Sequence, residues 1–170
     1  MRRIMVRTLV LVAVSSLCAC SPSKSLSRSR AAELINRSAS FKPQPGKIPL
    51  TDEEVKRGVS AGYWEIRHAI SFGDLLYTTP KGDQLFAGFE PQIQGSILNL
   101  RQDVSLYVVD VTGIVDNATP DPSISEKVVE FTYNYKFGNV PPEVRALFKD
   151  HPSHPASRVF RLYDDGWRVQ

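Results

Sequence analysis

From Val128 to Phe137 the residues alternate without a break: Val129, Phe131, Tyr133, Tyr135 and Phe137 share one phase, and Val128, Glu130, Thr132, Asn134 and Lys136 the other. Only an extended strand, with its period of two, puts all five apolar and aromatic side chains on one face. The preceding run Val104 to Val115 is β-branched in both phases, as in a central strand with neighbours on either side. Together they predict a long antiparallel pair, joined by a loop over Asp116 to Ser125 where Pro120 and Pro122 interrupt pairing.

The elements around this pair are shorter. Arg28 to Ala39 carries Ala31, Leu34, Ile35 and Ser38 or Ala39 at helical spacing. Phe41 to Pro49 holds three prolines and Gly46, so the chain must run extended there, with room for one edge strand. Leu50-Thr51-Asp52-Glu53-Glu54-Val55 has Thr51 and Glu54 at capping-box positions and Leu50 and Val55 at those of a hydrophobic staple, which predicts a helix starting at Asp52. Its apolar face is expected to continue through Val59, Tyr63, Ile66 and Ile70. Gly58 and Gly62 interrupt it, suggesting either close packing of another element or fraying.

Leu75 to Thr79 is a short strand candidate, Gln84 to Phe89 a turn of helix carrying Leu85 and Phe86 inward, and Pro142 to Asp150 a last helix with Val144, Leu147 and Phe148 on one face. Arg158 to Val169 reads as a terminal hairpin turning at Asp165-Gly166. The sum is an α+β fold: an antiparallel sheet of four to six strands with three helices packed mainly on one face, forming a single domain over 28–170.

The N-terminus has a different character. Arg2, Arg3 and Arg7 precede an apolar stretch from Thr8 to Leu17 that is too short to span a bilayer. Leu17-Cys18-Ala19-Cys20 follows, and it resembles the bacterial lipobox. That resemblance implies cleavage after Ala19, a signal peptide over 1–19, acylation of Cys20 and a lipidated tether over 20–27. With Ser21 rather than Asp after the cysteine, it also implies an outer-membrane, periplasm-facing location.

The three leader arginines account for the whole net charge of +3, so the basic balance is no argument for nucleic-acid binding. The basic residues left are concentrated near the anchor, with Lys24, Arg28, Arg30, Arg37, Lys42 and Lys47 facing only Glu33 there. Placed beside an anionic membrane, each would contribute on the order of 1 kcal/mol. The alternative is a solvated helix face. Cys18 and Cys20 are the only cysteines, so an acylated Cys20 leaves no thiol for a disulfide, redox or metal site.

Candidate site residues are few. Tyr107, Tyr133 and Tyr135, with Trp64 and Trp167, could line a pocket or fill the core. Asp110, inside the apolar run Val108 to Val111, is an acid or base candidate if buried and ordinary if open to water. His151 and His154 in Asp150-His151-Pro152-Ser153-His154-Pro155 offer two imidazoles, but the prolines and the remoteness of His68 make a solvated loop the expectation and a metal site not. No phosphate-binding loop or nucleophile motif occurs, and no cofactor is expected.

Two stretches carry a further resemblance. Val129-Glu130-Phe131-Thr132-Tyr133 and Phe160-Arg161-Leu162-Tyr163-Asp164-Asp165-Gly166-Trp167-Arg168 look like those of small bacterial envelope lipoproteins, some built on cystatin-like or NTF2-like cones. The resemblance implies a fold and brings no functional residue with it. Tyr77-Thr78-Thr79-Pro80-Lys81-Gly82-Asp83-Gln84-Leu85-Phe86 resembles the wing of winged-helix domains, here implying a packing module. The expectation is a membrane-anchored, non-enzymatic binding or assembly module that meets another envelope protein or lipid and no nucleic acid. The alternative is a ligand carrier or enzyme with an NTF2-like cavity around Asp110.

Overall fold

The computed structural model describes residues 25–70, 73–91, 96–138 and 140–170. The leader, the lipobox with Cys20 and the tether up to Lys24 lie outside the described residues. Among the described residues, three α-helices and an antiparallel sheet of six strands make an α+β fold. The helices are α1 (Arg28–Arg37), α2 (Asp52–Ser60) and α3 (Pro142–Leu147). The strands are β1 (Gln44–Pro49), β2 (Trp64–Ala69), β3 (Gly73–Thr78), β4 (Phe86–Pro91), β5 (Ser96–Asn117), β6 (Glu126–Phe137), β7 (His154–Tyr163) and β8 (Gly166–Val169).

The sheet runs β1-β5-β6-β7-β8, with β4 also paired to β5, while β2 and β3 form a separate hairpin. The long pair is in place: β5 and β6 register from Val104↔Phe137 to Asn117↔Glu126. The register slips between Val108 and Asp110 and between Val111 and Gly113, so β5 carries two bulges that let so long a strand bend. Two buried clusters form along the strands. One gathers Val129, Phe131, Phe160 and Trp167 with Ala31 and Ile35 of α1; the other gathers Leu98, Val104, Trp64 and Phe86 with Val144 and Leu147 of α3.

Helix α1 starts at Arg28, where its periodicity predicts. Ser27 caps it by accepting the Arg30 N–H, and Leu26 is buried in the same cluster as Ala31, the fourth helical residue. This is a hydrophobic staple. The tether expected over 20–27 is therefore docked at its last residues.

Helix α2 starts at Asp52 with both capping-box bonds made, Glu54 N–H to Thr51 Oγ1 and Thr51 N–H to Glu54 Oε2. Its expected continuation through Tyr63, Ile66 and Ile70 is wrong. Gly62 takes φ +72°, its N–H reaches Val59 O and the Tyr63 N–H reaches Gly58 O, a Schellman closure that ends the helix and launches β2. Ile66 and Ile70 are exposed as a result. The buried face of α2 is Glu54 and Gly58 instead of Val55 and Val59, because the Trp64 indole lies over Gly58 and donates to Val55 O at 2.9 Å.

A second correction concerns Gln84 to Phe89. The chain makes a short 3-10 turn over Gly82–Gln84 and then enters β4, where Gly88 at φ +112° sits at a register slip no helix accommodates. Phe86 points inward as expected and is fully buried. At the C-terminus Asp164 and Asp165 form the turn and Gly166 carries the positive φ as the first residue of β8.

Candidate functional site

The expected pocket residues do not form one site. In the β5–β6 register Tyr107 faces Asn134 and Asp110 faces Thr132, on the polar side of β6, whereas Tyr133 and Tyr135 oppose Val108 and Leu106 on the apolar side. The sheet itself separates the two pairs. Asp110 is exposed on the surface rather than buried, and Tyr107 is 42% exposed. Tyr133 and Tyr135 are half-buried, packed edge to face at 6.3 Å, and Trp64 and Trp167 are core. Burial pushes the Tyr135 hydroxyl up to about 12, with Tyr133 adding to the shift, so Tyr135 stays a neutral phenol.

The histidines, by contrast, do not lie in a solvated loop. His151 is buried, its side chain 2% exposed, and its Nδ1 lies 2.7 Å from Oε1 of Glu54, which is 0% exposed. A carboxylate can only accept, so this nitrogen donates. The other ring nitrogen, Nε2, meets Nε2 of His154 at 2.8 Å. Tyr135 packs against both rings, at 5.3 and 5.5 Å, Tyr133 against His154 at 5.4 Å, and Phe148 against His151 at 6.4 Å.

Four elements build this cluster. The capping box fixes Glu54, the turn after α3 delivers His151, Asn134 of β6 holds the His151 carbonyl at 3.1 Å, and β7 opens at His154. Burial, the largest influence on Glu54, pushes its carboxyl up, but the bonds from His151 and Thr51 outweigh it and hold the group below its usual range. Burial lowers the His154 imidazole, with His151 adding to the shift and Glu54 opposing it. At the cluster's margin Arg57 pairs with Asp150 at 2.9 Å while its Nε is buried without a partner. Among the described residues, no group of three or more His, Cys, Asp or Glu side chains is arranged to hold a metal ion.

The sequence signal that could have revealed the cluster is Glu54 itself. A capping-box acid is ordinarily solvent-facing, and a second hydrogen bond is what its unused Oε1 lacks. The imidazole that supplies it is 97 positions away, a separation no local pattern bridges.

A second feature lies on the outer edge of β5. β1 accompanies β5 only as far as Val104, and α1 meets it again at Val108, whose N–H donates to Asn36 Oδ1 at 2.9 Å. Between these points Ser105, Leu106 and Tyr107 border an open groove of about 920 Å³. Alternate residues of a strand direct both backbone groups to the same edge, so Leu106, two before Val108, turns its N–H and C=O toward the groove. Phe41 and Pro43 form one wall; Lys42, Arg101 and Lys136 surround it against a single carboxylate, Asp103. The Arg101 Nε is held by Asp83 O at 2.7 Å, which leaves the terminal nitrogens of its guanidinium free of that bond.

No helix among the described residues is long and apolar enough to cross a membrane. Compared with protein-family models, with curated proteins and with solved structures, the chain gave no match.

Proposed function

We propose that this protein is a non-enzymatic binding module of the bacterial cell envelope, anchored by lipid on Cys20 and holding an extended, acidic segment of a partner protein in the groove beside β5. The observation that carries this reading is the groove: an interrupted strand edge, offering the Leu106 backbone between β1 and α1, with three cations around it and one acid. A peptide in extended form can add to such an edge through its main chain while its carboxylates meet Lys42, Arg101 and Lys136. The ligand-carrier alternative loses its main support with Asp110 on the open side of the sheet.

The finer reading of the architecture supports this use. The apolar side chains of α1 and α3 share clusters with inward residues of β5 and β6, so we take the helices to lie mainly over one face, leaving Arg101, Ser105, Tyr107 and Lys136 on the other. The long bent strands with α1 alongside fit the resemblance to cystatin-like or NTF2-like envelope lipoproteins. The placement of Lys24, Arg28 and Arg30 next to Cys20 favours an anionic membrane surface at the base of the molecule, outer membrane by the Ser21 criterion.

Two experiments test the reading. Cys20→Ala is expected to move the protein from the membrane fraction to the soluble fraction, and unchanged retention would refute the anchor. For the groove, a peptide alternating Glu with Val is titrated into the full chain while amide resonances are followed. Binding should shift Ser105 to Tyr107, weaken with added salt, and drop at least tenfold in Lys42→Glu/Lys136→Glu. Equal affinity in that variant, or shifts elsewhere, would reject the groove; preference for anionic vesicles over the peptide would reject the protein partner.

A further inference from the structure

The cluster of Glu54, His151 and His154 plays no part in the groove, yet it holds two buried ionisable side chains, Glu54 and His151, in a continuous chain of hydrogen bonds. It joins the first turn of α2 to the segment that runs from the turn after α3 into β7, 97 positions further on. Proton counting shows what it permits. Glu54 as a carboxylate accepts a hydrogen bond from the His151 Nδ1–H. The two facing Nε2 atoms then need one proton between them, because a nitrogen pair at 2.8 Å is a hydrogen bond only when one side donates and the other accepts.

Two protonation states satisfy this. With both imidazoles neutral, His154 donates to His151. With one proton added to the pair, the extra charge occupies either ring and the inter-ring bond survives, since one Nε2 remains bare. A second added proton puts N–H groups on both Nε2 atoms, aimed at each other, and leaves two imidazolium rings in contact with only one buried carboxylate.

We infer that Glu54, His151 and His154 form an acid-labile clasp, which keeps the first turns of α2 on the β6–β7 end of the sheet while the histidine pair carries at most one extra proton, and lets go when it carries two. The groups around it set no trap for the second charge. Tyr135 from β6 is a neutral phenol, Tyr133 lays its ring against His154, and Phe148 is apolar. On α2 the Arg57 guanidinium is itself cationic, and Asp150 after α3 is already paired with it. Lys149 adds a further exposed cation, 3.9 Å from Asp150. The one acid aimed at the histidines is therefore Glu54.

What moves when the clasp opens follows from what else holds α2. Trp64 donates to Val55 O, lies on Gly58 and is itself packed against Phe86 and Phe89 of β4, so the C-terminal half of α2 stays anchored and the first turns, held by Glu54, are expected to open and fray with residues 148–154. Strands β5 and β6, held by their own ladder, have no reason to follow.

The test is amide hydrogen exchange on the full chain in detergent, at pH 7.5 and at pH 5, for the parent protein and for His154→Gln. Glutamine keeps a donor for His151 Nε2 and cannot take a proton. In the parent, the first turns of α2 and residues 148–154 should lose at least tenfold protection at pH 5 relative to β5 and β6, and in His154→Gln that selective loss should disappear. Equal loss in both proteins, or loss spread evenly over the sheet, would overturn the clasp. Should His154→Gln fail to fold, nitrogen resonances of the imidazoles in the parent decide the matter. Two separated titration steps for the pair support it, and two independent titrations at the ordinary histidine value reject it.

Discussion

Gly58 shows how much one missing side chain can organise. A Cβ built there would sit inside the Trp64 ring, so the close approach of helix and indole exists only because the position has no side chain. Gly58→Ala sets two effects against each other: alanine gains about 1 kcal/mol of helix propensity, and overpacking costs about 1–3 kcal/mol or more. Because the clash is with the rigid face of a buried indole that also donates to Val55 O, the second wins. The variant should lose on the order of 2 kcal/mol in urea denaturation, with a shifted Trp64 fluorescence maximum; a more stable variant would contradict the packing. Gly58 and Gly62 look alike in sequence, four apart on one predicted helix. Their roles differ, one giving way to a ring and the other adopting φ +72° to end the helix.

At the scale of elements, the informative relation is between α1 and the open edge of β5. A strand of this length with an unpaired edge invites pairing with other chains, and α1 covers part of it through Asn36 Oδ1 on the Val108 N–H and Arg28 on Thr112 O. Asn36→Ala removes the acceptor for Val108, a net loss of about 0.5–1.5 kcal/mol. The Val108 amide should exchange faster in that variant, while those of β6 stay protected; unchanged exchange at Val108 would show that the helix does not guard the edge. Asn36 looks like an ordinary surface residue in a helical pattern. The hydrogen bond that gives it a role spans 72 positions, so its meaning was not legible locally. The capping box at Thr51 and Glu54 was legible, since cap, acid and backbone donors all fall within one turn.

For the whole molecule, the acid side of the stability profile follows from the same buried groups. His154 titrates below its ordinary value of 6.5 in the folded protein, chiefly because it is buried, so the unfolded chain takes up its proton first. Its contribution is complete above about pH 6.5 and declines as the pH falls toward the folded value. Glu54, held below 4.5 against the cost of its burial by His151 and Thr51, adds a second decline from about pH 4.5 downward. Thermal unfolding followed from pH 8 to pH 4 should therefore show a midpoint that is level above 6.5 and falls in two stages; a profile flat to pH 5 would contradict the burial of the pair. The sequence by itself determined what is local: the β5–β6 pair from its alternation, α1 from its periodicity, the start of α2 from its capping box and the terminal hairpin from its glycine. Tertiary structure alone decided which face of α2 is buried, where that helix stops, that Tyr107 and Asp110 lie across the sheet from Tyr133 and Tyr135, and that His151, with His154 behind it, meets a capping glutamate. Periodicity and capping act within one or two turns and are written in neighbouring residues. Burial, bulge-shifted register and proton sharing depend on which distant segments meet, and only the folded chain specifies that.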